Sequence, residues 1–188
     1  RTGLLSEVNR LRARIEEDLN LTTFLSTSKV ERLFSDHGTT TRRDALGLLA
    51  VSDWSDPDAL DPATRIPHWD RYTVYSTPQN EERHLTRLSV SPTSPGPGPS
   101  GLPVQPYSQL TSLLEDIPPS ETVSRSVLSE NLFSFEVELD DLDFAVALNV
   151  ELRRAGGGLR VNSQNRRDES LQAFFRVQPK NNGPGIGG

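Results

Sequence analysis

At the start of the chain, Leu4, Val8, Leu11, Ile15 and Leu19 recur three or four positions apart, the period that places side chains on one face of an α-helix. Glu7, Arg10, Arg14, Glu17 and Asp18 take most of the remaining circumference. Residues 3–20 (GLLSEVNRLRARIEEDLN) contain no Pro, and their single Gly stands at the beginning. The spacing predicts a helix roughly 27 Å long at about 1.5 Å per residue. An apolar stripe of that length needs a surface to cover it. Most of the chain beyond residue 20 reads as short β-strands, so the expected fold is α+β: an N-terminal amphipathic helix packed on antiparallel β-sheet. The chain opens on Arg1 and contains no Met, and the expectation is a helix that continues upstream of this sequence.

In chain order, residues 21–25 continue or leave the helix. Ser28, Lys29, Val30 and Glu31 fit a capping box, with Leu33 and Phe34 next and Gly38 as a stop, which predicts a short second helix. Residues 39–43 read as loop and 45–51 (ALGLLAV) as a buried strand, with a helical turn as the alternative. Pro57, Pro62 and Pro67 make residues 52–67 irregular. Residues 69–76 (WDRYTVYS) and 83–91 (RHLTRLSVS) form the arms of a hairpin with its turn at 77–82. Residues 92–106 (PTSPGPGPSGLPVQP) fit neither sheet nor helix, because Pro lacks the amide donor and Gly is entropically costly to order. Leu110, Leu113, Leu114 and Ile117 are in helical register ahead of Pro118 and predict a short helix. Strands are expected at 123–128, at 132–139 with Phe133, Phe135, Val137 and Leu139 alternating, and at 144–152 with Phe144, Val146, Leu148, Val150 and Leu152 alternating. Asp140 and Asp141 form the turn between the last two. A break at Gly156, Gly157 and Gly158, a strand stub at 159–162 and a last strand at 169–178 complete the plan. Residues 1–182 are read as one domain, with 183–188 a flexible tail.

Composition narrows the function. A formal net charge of −6 argues against direct nucleic-acid binding, since a phosphate-binding face needs a basic excess. Cys is absent, so disulfides, thiol nucleophiles and thiolate metal sites are excluded. A mean hydropathy of −0.52 describes a modest core with much loop. No run in this sequence approaches the roughly 18 apolar residues of a membrane span.

Chemistry-bearing patterns are few. His37, His68 and His84 show neither an i, i+4 pair nor HExxH, so zinc has no support. Asp53, Asp56, Asp58 and Asp61 form an acidic loop whose oxygens are weak candidates for Ca²⁺, although Asp before Pro is also ordinary turn chemistry. No serine occupies a nucleophile elbow. Residues 96–101 (GPGPSG) satisfy G-x-G-x-x-G by letter, but the prolines forbid the helix start that would hold a pyrophosphate. Asn20, Leu21 and Thr22 match a glycosylation sequon, a pattern frequent by chance. Neither a catalytic site nor a required cofactor is expected. Trp54, Trp69, Tyr72 and Tyr75 are candidate stacking groups if the chain is instead a β-rich binding module for carbohydrate or protein.

The order of parts resembles a known family. The helix ending RLRARIEEDLN, the hairpin HWDRYTVYS…RHLTRLSVS, the segment SRSVLSENLFSFEVEL, and the strands AVALNVELRR and FFRVQPKNN together resemble the head domain of type IV pilin-like minor subunits. The nearest are the minor pseudopilin J of type II secretion and the PilW-like minor pilins. Leu132 stands where Val is usual and Lys180 where Arg is usual, and residues 92–106 are longer than the family pattern. The resemblance implies a structural subunit that initiates or caps a pilus or pseudopilus. It implies an apolar N-terminal half-helix that anchors in the bacterial inner membrane before assembly. Partners would be other minor pilins or pseudopilins and the major pilin, with the head periplasmic or extracellular. Leu4, Leu5, Val8, Leu11 and Ile15 are the interface candidates; for most of them the favoured reading is the domain's own core, while Leu4 and Leu5 suit the core and another subunit's helix equally.

Overall fold

A computed structural model describes residues 2–36, 38–63, 67–78, 83–91, 114, 122–154 and 169–180. It is an α+β fold with one N-terminal helix, α1 (Thr2–Asn20), and mostly antiparallel strands. The strands in chain order are β1 (Thr27–Val30), β2 (Leu33–Asp36), β3 (Thr39–Arg42), β4 (Ala45–Ala50), β5 (Arg71–Ser76), β6 (Leu85–Val90), β7 (Thr122–Ser129), β8 (Leu132–Asp140), β9 (Ala145–Arg154) and β10 (Glu169–Val177). They form a five-stranded sheet ordered β1-β4-β5-β6-β7, a three-stranded sheet ordered β10-β9-β8, and the β2-β3 ribbon.

Helix α1 is set between the larger sheets. Leu11, Ile15 and Leu19 are fully buried, and Leu4 and Val8 nearly so. They share one core with Leu46, Leu48, Tyr75 and Leu85 of the five-stranded sheet and with Phe135, Val137, Leu148, Val150 and Phe175 of the three-stranded sheet. At about 1.5–3 kcal/mol for each large aliphatic side chain, the stripe contributes roughly 7–15 kcal/mol of gross burial free energy. The opposite helix face carries the ion pairs Arg12–Glu16 and Arg14–Glu17, each at 2.7 Å. Strand β4 is buried on both sides, because Leu46 and Leu48 face α1 while Ala45 and Leu49 face a second core. That second core holds Trp69, Tyr72, Val74, Leu88 and Val90, together with Leu114.

Polar contacts join the sheets where β3 bends into β4. Asp44 is fully buried; its carboxylate accepts the Val137 amide at 2.8 Å and a bidentate fork from Arg42. Its own amide donates to the Phe135 carbonyl at 2.8 Å. Arg43, also buried, donates to the Phe133 carbonyl and to Asp36, and Asp36 takes a second guanidinium from Arg83. At the other end of the helix, Glu7 accepts from the Glu130 amide and from Asn131, while Arg10 donates to the Leu128 carbonyl.

Several expectations are corrected. Among the described residues of the expected second helix (28–36 and 38) there is no helix: β1 pairs with β4 (Thr27↔Leu48 to Val30↔Ala45) and β2 pairs with β3. Pairing with an already buried strand, reinforced by Lys29 Nζ donating to the Val137 carbonyl at 3.0 Å, outweighs a capping signal worth only about 1 kcal/mol. The expected loop at 39–43 is largely strand β3, whose threonines suit a pleated surface; Thr41 Oγ1 donates to the Phe133 carbonyl at 2.7 Å. Phe144 belongs to the turn before β9, with φ of 49° and about half its surface exposed. Inward alternation therefore starts at Val146 and runs through Leu148, Val150 and Leu152. In β8 a register shift between Leu132 and Ser134 lets Leu132 join the core beside Phe135 and Val137. The buried strand at 45–51, the hairpin of β5 and β6, and strands β7 to β10 stand within a few residues of their expected positions. The Pro/Gly-rich stretch 92–106, the strand stub 159–162 and the tail 183–188 lie outside the described residues, as does the expected helix 108–117 apart from Leu114.

Replacing Ile15 by Ala removes a fully buried side chain from the junction of both sheets and is expected to cost about 3–4 kcal/mol. Urea unfolding of the variant checks this as a lowered midpoint at unchanged slope.

Candidate functional site

The candidates named from sequence separate into three groups. Leu4, Val8, Leu11 and Ile15 are committed to the domain's own core, whereas Leu5 is 52% exposed on the outer face of α1. The helix period makes this separation, since Leu5 lies about 100° from Leu4 around the axis.

The acidic loop is occupied with its own turns. Asp53 Oδ1 accepts from the Ser55 hydroxyl at 2.6 Å and amide at 2.8 Å, and these bonds, the hydroxyl first, hold its carboxyl below the usual range. Asp56 Oδ1 accepts the Asp58 amide and Asp61 Oδ1 the Ala63 amide. Among the described residues no group of three or more carboxylate or imidazole side chains converges on a common point. Calcium coordination by Asp53, Asp56, Asp58 and Asp61 has no assembled ligand set to draw on.

The stacking candidates are mostly interior. Trp69, Tyr72 and Tyr75 are buried, and Trp54 is half-buried with its ring 89° to that of Trp69 at 6.4 Å between centroids. They present no coplanar exposed platform; the aromatic hairpin supplies core on both faces of the sheet.

The residue patterns do not single out a cleft of about 390 Å³ beside the C-terminal end of α1. It exists because α1 stops at Asn20, leaving part of the five-stranded sheet's helix-side face uncovered. Strand register builds its floor: Leu48 is opposite Thr73, Thr73 opposite Ser89, and Ser89 opposite Ser124, with Ala50 and Arg71 forming the next row outward. Leu21 and Trp54 supply apolar walls. Arg14, Glu17, Asp18 and Arg87 line the side nearest the helix. The alternation of strand residues carries the signal, because Arg71, Thr73 and Ser89 are polar on a face that is apolar at Leu46 and Leu48.

The helix-side charges are held tightly. Asp18 is buried and accepts a bidentate fork from Arg87, Nε at 2.6 Å and Nη2 at 3.1 Å, together with a short hydrogen bond from the Tyr75 hydroxyl. Burial first, and the adjacent Asp18 carboxylate second, push the Tyr75 phenol well above its ordinary range. Arg14 pairs with Glu17 and approaches Asp18 at 3.7 Å. Arg71, by contrast, has no side-chain hydrogen bond or ion pair among the described residues.

Neither protein-family models, nor curated proteins, nor solved structures match this chain.

The raised Tyr75 pKa sets a direction for alkaline stability. The unfolded phenol ionises near its ordinary value of about 10 while the folded one stays protonated, so the contribution is complete below that pH. It is lost as pH rises from there toward the folded pKa, at up to about 1.4 kcal/mol per pH unit. Urea unfolding measured from pH 9 to 11.5, about the range that brackets an ordinary phenol, is expected to show this slope and to show it reduced in Tyr75→Phe.

Proposed function

We propose that this chain is a structural and assembly subunit, the head domain of a minor pilin or pseudopilin that takes part in initiating or capping a type IV pilus or type II secretion pseudopilus. The observation that supports the reading is the helix-first α+β plan: an N-terminal amphipathic helix whose apolar stripe is buried under mostly antiparallel sheet. In such a subunit the head stays folded by its own core while residues on the outer helix face meet neighbouring helices. Leu5 is an exposed large apolar residue of α1 that fits this role. The head would be anchored through an apolar half-helix preceding α1, and its partners would be other minor subunits and the major pilin. No chemical turnover is required of it.

A second reading, an exported β-rich binding module, is favoured by the cleft at the end of α1, which has the size of a small-ligand site. The buried aromatics give it no support.

Mass spectrometry of the native protein taken from its own membranes tests the assembly reading. The expected result is a methylated Phe at the mature N-terminus, followed by about twenty apolar residues continuous with α1. A native chain starting near Arg1, or after an ordinary cleaved signal peptide, would overturn it. In the native protein, Leu5→Glu is expected to leave folding stability within about 0.5 kcal/mol while reducing site-specific cross-linking to neighbouring filament subunits.

A further inference from the structure

We propose that the cleft at the C-terminal end of α1 binds one small hydroxylated carboxylate, the class of the sugar acids, with Arg71 holding the carboxylate. The inference rests on the cleft alone and stands or falls independently of the assembly reading.

Charge fixes the ionic part. Three guanidinium groups and two carboxylates line the cleft. Arg87 is engaged by Asp18 and Arg14 by Glu17, which leaves Arg71 as the lining cation without a partner among the described residues. A half-buried guanidinium presents a planar fork that matches a carboxylate in two parallel hydrogen bonds. The surplus is one positive charge, which suits a monoanion better than a phosphate dianion placed near Glu17 and Asp18.

The floor decides the rest of the ligand. Thr73, Ser89 and Ser124 stand in one row across three strands, and none of their hydroxyls has a protein partner among the described residues. A ligand carrying several hydroxyls pairs with that row, whereas an aliphatic acid would desolvate it without compensation. Leu21 and Trp54 meanwhile offer apolar surface to the C–H face of a sugar ring. The cleft volume of about 390 Å³ lies within the range of small-ligand sites.

The test is a titration of the purified chain with D-galacturonate, followed by ¹H–¹⁵N spectra that include the Trp54 indole and Arg71 Nε signals. D-galactose and butyrate are run in parallel as the neutral sugar and the unhydroxylated acid. Saturable shifts at Trp54 and Arg71 with galacturonate are expected, with galactose and butyrate each about tenfold weaker or more, and Arg71→Gln weakening galacturonate by a similar factor. Arg71→Lys, which keeps the charge and loses the fork, is expected to fall between. The Arg71 side chain has no hydrogen bond or ion pair among the described residues, and circular dichroism of both variants checks that they are folded. The proposal is overturned if galacturonate up to about 20 mM, beyond the weak end of specific small-ligand affinity, causes no saturable shift. Equal binding of galactose or butyrate, or unchanged binding by folded Arg71→Gln, overturns it as well.

Discussion

The structure depends on one burial event, the covering of the α1 stripe by two sheets at once. The five-stranded and three-stranded sheets share no continuous ladder among the described residues; the backbone bridge between Arg43 and Phe135 and the bond from Lys29 Nζ to the Val137 carbonyl are local links between them. What makes one core of them is the α1 stripe, since Leu11, Ile15 and Leu19 share one buried cluster with residues of both sheets. Removing apolar surface from water is non-directional, so the stripe alone would tolerate sliding and rotation of the helix. Polar pins supply the direction: Glu7 and Arg10 attach one end of α1 to β7 and the segment after it, and Asp18 attaches the other to Arg87 and Tyr75.

Buried charges follow the same rule at each junction. Asp44, Asp36 and Asp18 are buried, and each is met by at least one arginine fork. A buried carboxylate without its partner is strongly destabilising, while the intact pair adds little net stability. The value of these pairs therefore lies in specifying which elements meet. Asp44 selects β8 as the neighbour of the β3–β4 bend, and Asp18 selects the rotation of α1 over β5 and β6. The cleft is a consequence of the same arrangement, because a helix pinned at Asp18 ends two residues later and leaves the outer rows of the sheet open.

The helix is legible in residues 3–20 because a period of three to four over a whole stretch has no competing reading, and strands β5 to β10 because their alternation is long. The segment 28–38 misleads because its local capping chemistry is genuine but weak, and only pairing with β4 and β3 decides its state. Phe144 points inward only if a period-two pattern is extended through a turn; the hydrogen bonds from the Leu142 and Asp143 amides to Asp140 start that turn earlier. The interface candidates come from the correct helix, but burial by two sheets claims all of them except Leu5.

By itself the sequence determined the α+β class, the apolar face of α1, the hairpin built on WDRYTVYS and the want of thiol chemistry, since each follows from residue type and period along a continuous segment. The tertiary structure decided the sheet order, the pairing of each buried aspartate with its arginine, and the cleft lined by Arg71, Thr73, Ser89 and Ser124. Those residues come from three strands separated in sequence. Their meeting depends on register and on where the helix stops, and neither quantity is written in any one segment.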